Sequence, residues 1–93
     1  MTQKYSREKL RRLRNDIYIT DLIADTLDLP HKISEGYFRF LCPLCSEFNS
    51  AVNASTNLAR CFLCQCNYNP IDLVMAVKNC SFRDAVEFLL PLL

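Results

Sequence analysis

Glycine occurs once in this 93-residue chain, at position 36, and histidine once, at position 31. The first scarcity excludes a glycine-rich loop that cradles phosphates. The single histidine falls in no recognisable Ser-His-Asp or Cys-His-Asp constellation with a distinct base, so the chain as it stands is not expected to be an enzyme. No apolar run approaches the roughly 20 residues that cross a bilayer. Residues 1–14 are polar and basic and contain no apolar h-region, so no secretory leader is expected. Repeats and low-complexity segments are absent as well. With neither an export nor a membrane signal, the expected setting is cytoplasmic. There six cysteines stay reduced rather than forming a disulfide framework, which is the alternative reading of so many in a short chain.

What is present is a folding composition: 51% hydrophobic residues, with four tyrosines and six phenylalanines. The length corresponds to one domain whose core alone leaves little margin of stability. Cys42-Pro43-Leu44-Cys45 and Cys61-Phe62-Leu63-Cys64 supply what the small core lacks. Two residues between cysteines let one tight turn aim two sulfurs at the same point. Two such turns, fifteen residues apart, close a tetrahedral S4 site. Cys42, Cys45, Cys61 and Cys64 are therefore expected to bind one structural Zn2+. The shell is full and leaves no open position for water or substrate. Iron also accepts four thiolates, so a rubredoxin-like electron carrier is the competing reading. Cys66 and His31 are secondary ligand candidates, and Cys80 is expected in the core.

Charge is unevenly spread under a net +1. Residues 1–14 hold six bases against one acid, and residues 15–93 hold five bases against nine acids. The chain divides on this basis into a basic N-terminal arm or short helix, 1–14, and a zinc-ribbon domain, 15–93. In the arm, Ser6 is a candidate N-cap for a helix over 6–14 with Leu10 and Leu13 as its apolar stripe. The spacing of Ile19, Leu22, Ile23 and Leu27 predicts a helix over 16–28, with Asn15 and Asp16 available to cap it and Pro30 to stop it. His31 follows in a loop. Strands are expected at 37–42, about 50–55 and 58–63, with Gly36 opening the first and Thr56-Asn57 turning between the last two. Asn67-Tyr68-Asn69-Pro70 should break the sheet. Asn69 and Pro70 then open a helix to about Lys78, and Asn79 closes it in a left-handed cap. Ser81, with Asp84 in a capping-box-like role, starts a last helix lined by Phe82, Ala85, Val86, Leu89 and Leu90. Pro91 ends it, and Leu92 and Leu93 are expected to dock on the core or to serve a partner. The fold class is small α+β: a zinc ribbon of three or more antiparallel strands, flanked by an N-terminal helix and two short C-terminal helices.

This order resembles the zinc-binding domain of bacterial DnaG-type primases over about residues 15–90. The resemblance is carried by Tyr18-Ile-Thr-Asp-Leu-Ile23, by Tyr37 through Leu41-Cys-Pro-Leu-Cys45, by Ser50 to Ser55, by Cys61-Phe-Leu-Cys64 and by Ser81 to Leu89. Three features depart from that family. Cys45 stands where its second ligand is a histidine. Its glycine-rich stretch after the second pair reads Gln65-Cys66-Asn67-Tyr68-Asn69, where asparagines are expected to keep the left-handed turn. The basic segment before the first strand is reduced to Lys32, beside Glu35. The resemblance implies a module that engages single-stranded DNA template and helps choose the start site. A separate primase catalytic domain makes the primer, and a helicase is a further possible partner; no membrane is involved.

Strand alternation selects the candidate interface. If the cysteines face the metal and core, Tyr37, Arg39, Arg60 and Phe62 share the opposite face, with Lys32 nearby. Aromatics interleaved with arginines suit single strands, since rings stack on bases and guanidinium groups hold phosphates. The alternative is that the rings pack under a helix and the arginines cover an edge. A second function class is a zinc-ribbon adaptor that makes protein–protein contacts in a replication or mobile-element complex. The acidic body and apolar C-terminus favour it.

Overall fold

A computed structural model describes residues 5–93; the first four, including Lys4 of the basic arm, lie outside the described residues. Helix α1 (Arg7–Asn15) starts at Ser6, whose hydroxyl accepts from the Lys9 N–H. Leu13 is its buried contact and seats it against the two C-terminal helices, so the basic segment is docked.

The predicted helix over 16–28 is shorter, and its second half is wound more loosely. It begins at α2 (Ile19–Asp21) and runs directly into a π-helical turn, Leu22–Thr26. Asn15 and Asp16 do not cap it: Asn15 ends α1, and Asp16 pairs with Arg12 at 3.2 Å. The cap comes from Asn57, 38 residues away. Its amide oxygen accepts from Ile19 N–H at 2.9 Å, and its amide NH2 donates to the carbonyls of Arg14 and Ile17, each at 2.7 Å. One side chain thereby satisfies the backbone groups at the break between α1 and α2, which would otherwise be orphaned.

Five antiparallel strands follow in simple meander order: β1 (His31–Ser34), β2 (Tyr37–Phe40), β3 (Ser50–Asn53), β4 (Leu58–Cys61) and β5 (Cys66–Tyr68). Two of these, β1 and β5, depart from the expected loop at His31 and the expected break at Asn67-Tyr68. Glu35 and Gly36, with φ of 54° and 81°, form the two-residue turn joining β1 to β2, so Gly36 belongs to a hairpin turn and not to a strand start. Positive φ at both central residues suits the twist of the flanking strands. The outer strand β5 pairs with β4 through Ala59↔Tyr68 and Cys61↔Cys66. Pairing with a neighbour overrides the weak strand preference of asparagine.

Helix α3 (Pro70–Lys78) carries the reciprocal capping box, between Asn69 and Asp72; Asn79 closes it at φ 51°. Helix α4 (Phe82–Leu89) has only half of such a box, Ser81 accepting from the Asp84 N–H. Phe82 stays 45% exposed and drops out of the expected core face. A 3-10 turn, Leu90–Leu92, follows α4, and Leu92 and Leu93 remain more than 40% exposed, so neither docks on the core. The helices cover one face of the sheet. Phe40, Val52, Ala59 and Tyr68 share a single buried cluster with Ile23, Leu73 and Leu89 of the helices. No helix among the described residues is long and apolar enough to cross a membrane.

Candidate metal centre and nucleic-acid interface

The two cysteine turns are built alike. In each, the residue after the second cysteine is left-handed: Ser46 at φ 59° and Gln65 at φ 57°. In each, a backbone N–H points at the first sulfur, Leu44 N–H to Cys42 Sγ at 3.4 Å and Cys64 N–H to Cys61 Sγ at 3.3 Å. The left-handed position in the second turn falls on Gln65, not on Asn67 or Asn69 as the sequence suggested. Unfavourable φ at a side-chain-bearing residue is sustained where surrounding structure over-determines it.

The four sulfurs of Cys42, Cys45, Cys61 and Cys64 all lie within 4.8 Å of one another. Two of the separations are 3.9 Å, Cys42 to Cys64, and 3.7 Å, Cys45 to Cys61. A tetrahedron with zinc–sulfur bonds of about 2.3 Å has edges of about 3.8 Å, so the donor set fits zinc in both chemistry and size. Cys66 and His31 are outside this cluster. Cys66 sits on β5 opposite Cys61, while His31 stacks on Phe38 with ring centroids 5.3 Å apart.

The environment sorts the four thiols. Burial raises the Cys61 thiol, but the Cys64 N–H, the Ser50 hydroxyl and the neighbouring cysteines outweigh it and bring it down to about 6. Burial likewise raises Cys42, and the Tyr68 hydroxyl with the backbone N–H groups of Cys45 and Leu44 leaves it lowered. Cys64 is pushed up by burial and then by the other three cysteines, and Cys45 is raised chiefly by burial. Ser50 Oγ is fully buried without a hydrogen-bond partner of normal geometry. It stands directly across the ladder from Cys61, where its dipole favours the thiolate.

Tyr68 is a site residue that sequence reasoning missed. It is 3% exposed, and its hydroxyl lies 3.2 Å from Cys42 Sγ. Burial, followed by Cys42 and Cys66, raises its own pKa, so it remains a neutral donor. An O–H directed at a thiolate takes up part of the charge that a fourth cysteine adds. Its signal in the sequence was an isolated tyrosine two residues beyond a free cysteine, which is too little to identify a donor.

A family model described as the CHC2 zinc finger, the zinc ribbon of DnaG, matches residues 5–92. The chain belongs to the CHC2 zinc-finger family. A search of curated proteins found no match to it. This CHC2 zinc finger has four cysteines positioned to bind a metal, with Cys45 as the fourth thiol.

The face of the sheet away from the helices holds the other candidates. Register pairs Lys32 with Arg39, Arg39 with Ala51, Ala51 with Arg60 and Arg60 with Asn67, so these five residues form one row across all five strands. Directly opposed residues share a face. Tyr37 is 55% exposed and Phe62 58% exposed, so neither ring packs under a helix. Arg39 lies over the Tyr37 ring at 5.7 Å, and Arg60 over the Phe62 ring at 6.0 Å. Arg60 also donates to Asn67 Oδ1 at 3.2 Å. Lys32 sits over Phe48 at 5.0 Å, adding an aromatic that the sequence did not single out because it lies in the β2–β3 loop. A groove of about 800 Å³ runs along this face from Gly36 and Tyr37, past Arg60 and Phe62, to Ser55 and Thr56 in the β3–β4 turn.

Proposed function

We propose that the chain is a structural-zinc module that binds single-stranded DNA on the open face of its sheet, as a template-recognition unit acting with a primase catalytic domain. The observation that carries this reading is the cationic row flanked by exposed rings: Lys32, Arg39 and Arg60 with Tyr37 and Phe62. Ala51, between the two arginines, leaves the floor low enough for a base to approach. Each arginine is held over a ring, so it is pre-positioned to bridge a phosphate while the ring stacks on a base. Zinc does no chemistry here; it fixes the two turns that fix the strands. Reduced thiols in the metal site suit a cytoplasmic setting.

Titration with short single-stranded DNA at low and moderate salt tests this. Binding should weaken as salt rises, and Arg39→Ala or Arg60→Ala should each weaken it further and lower the salt slope by ~0.7. A second reading, the protein adaptor, has its own observation: Leu44 and Leu63, at the tips of the two cysteine turns, are 62% and 59% exposed. Absence of DNA binding at low salt would favour that reading.

A further inference from the structure

Helix α1 carries five bases and one acid in nine residues. Three of the bases, Arg7, Arg11 and Arg14, recur at intervals of four and three, which places them in one stripe along a single flank, ~10 Å from end to end. The only ion pair among the described residues is Arg12–Asp16; Glu8 and Asp16 share a surface recess with Arg11, but neither carboxylate forms an ion pair with the stripe. Arg7 and Arg11 are exposed and Arg14 is half-buried. A docked helix that keeps adjacent guanidinium groups unpaired holds a repulsive arrangement, which a polyanion relieves.

The position of the stripe supplies the second observation. The carbonyl of Arg14 accepts from the Asn57 amide at 2.7 Å, and Asn57 is the last residue of the β3–β4 turn. The preceding turn residues, Ala54, Ser55 and Thr56, line the end of the sheet-face groove. The open groove and the arginine stripe therefore meet at one turn, and Asn57 bolts that turn to the C-terminal end of α1. We infer that the Arg7–Arg11–Arg14 stripe continues the single-strand track: a strand lying across the sheet face passes around the β3–β4 turn, and its next phosphates are held by α1. This inference rests on the sheet-face reading above. It adds a sequence-independent backbone contact that only a longer strand reaches.

The test compares oligothymidylates of about 4 and about 16 nucleotides, the range one small single-strand module covers, by fluorescence anisotropy on the zinc-loaded chain. The wild-type chain should bind the long oligomer more tightly and with a steeper salt dependence. Arg7→Ala combined with Arg11→Ala should leave binding of the short oligomer unchanged, abolish the advantage of the long one and lower its salt slope by ~1.4. Alanine preserves the helix, and unchanged circular dichroism and zinc content verify that the fold is kept. An advantage for the long oligomer that survives the double substitution overturns the inference while leaving the sheet face intact. Loss of short-oligomer binding in Arg39→Ala with the stripe's contribution retained tells the two sites apart. Failure of the wild-type chain to bind the short oligomer removes the sheet-face reading itself. Binding to phosphatidylserine vesicles that depends on Arg7 and Arg11, without any DNA length effect, would assign the stripe to a membrane surface instead and also overturn the inference.

Discussion

The two faces of the sheet are built from alternate residues of the same strands, yet they have opposite chemistry. Towards the helices, the row Phe40, Ser50, Cys61 and Cys66 is apolar, sulfur-bearing and mostly sealed from water. Away from them, the row Lys32, Arg39, Ala51, Arg60 and Asn67 is cationic and open. The first row stabilises the fold and holds metal; the second has no packing role that its residues require. Stability and the proposed binding are thereby separated by one step along the chain, and substitutions on the two faces should fall into separate classes.

The separation is broken most severely by taking the metal away. Chelation of zinc, or Cys61→Ser, should collapse the sheet on both faces at once, with loss of the circular dichroism signal; apparent binding energies in small zinc domains are on the order of 10–16 kcal/mol. Retention of the strand signal in fully zinc-free protein would show that the core suffices. Next in size is a matched pair on β2. Phe40→Ala should cost ~3–5 kcal/mol in denaturant unfolding, whereas Tyr37→Ala, three residues away on the open face, should stay within ~0.5 kcal/mol.

Tyr68→Phe sharpens the comparison from within the covered face. It deletes only the O–H that reaches Cys42, and loss of a hydrogen bond to a charged group costs ~1.5–3 kcal/mol. Zinc should be lost to a competing chelator more readily than from the wild-type chain, with the fold unchanged in excess zinc. The pH response follows from the thiol order. Cys61 is depressed, so its contribution is full above its ordinary value of 9.0 and is lost as pH falls through about 6. Protons compete with zinc for the same sulfurs. Zinc content measured against pH should therefore fall on the acid side, and Tyr68→Phe should move that midpoint upward. The smallest effects are expected from the rings of the open face. Tyr37→Ala and Phe62→Ala should each weaken single-strand binding by ~1–3 kcal/mol without moving the unfolding midpoint.

Much of this arrangement was legible in the sequence because cysteine pairs and strand alternation are local signals. The four ligands, the central strands, the Asn69-Pro70 helix start and the outward parity of Arg39 and Arg60 all lie within a few residues of the feature that announces them. What was not legible depends on distant partners. The start of α2 is set by Asn57, far along the chain. Strand β5 exists because β4 is there to pair with it. β1 is polar and largely exposed, on a hairpin beyond the helix layer, so it lacks the apolar alternation that marks a strand. Tyr68 and Phe48 acquire their roles from contacts with Cys42 and Lys32 that no spacing rule encodes.

The metal turns also act as a phase lock on the chain. Cys61 must face the zinc, and β4 pairs with β3 in unbroken register, so Arg60 is committed to the outside and Ala59 to the inside by the ligand beside them. One residue inserted or deleted between Leu58 and Cys61 would carry an arginine into the helix layer. The same change at 54–56, short of the Asn57 cap, or at 47–49, beyond the left-handed Ser46, leaves the phase untouched. Length variation in this domain should therefore be confined to those two connections, while Leu58–Cys61 behaves as a segment of fixed count.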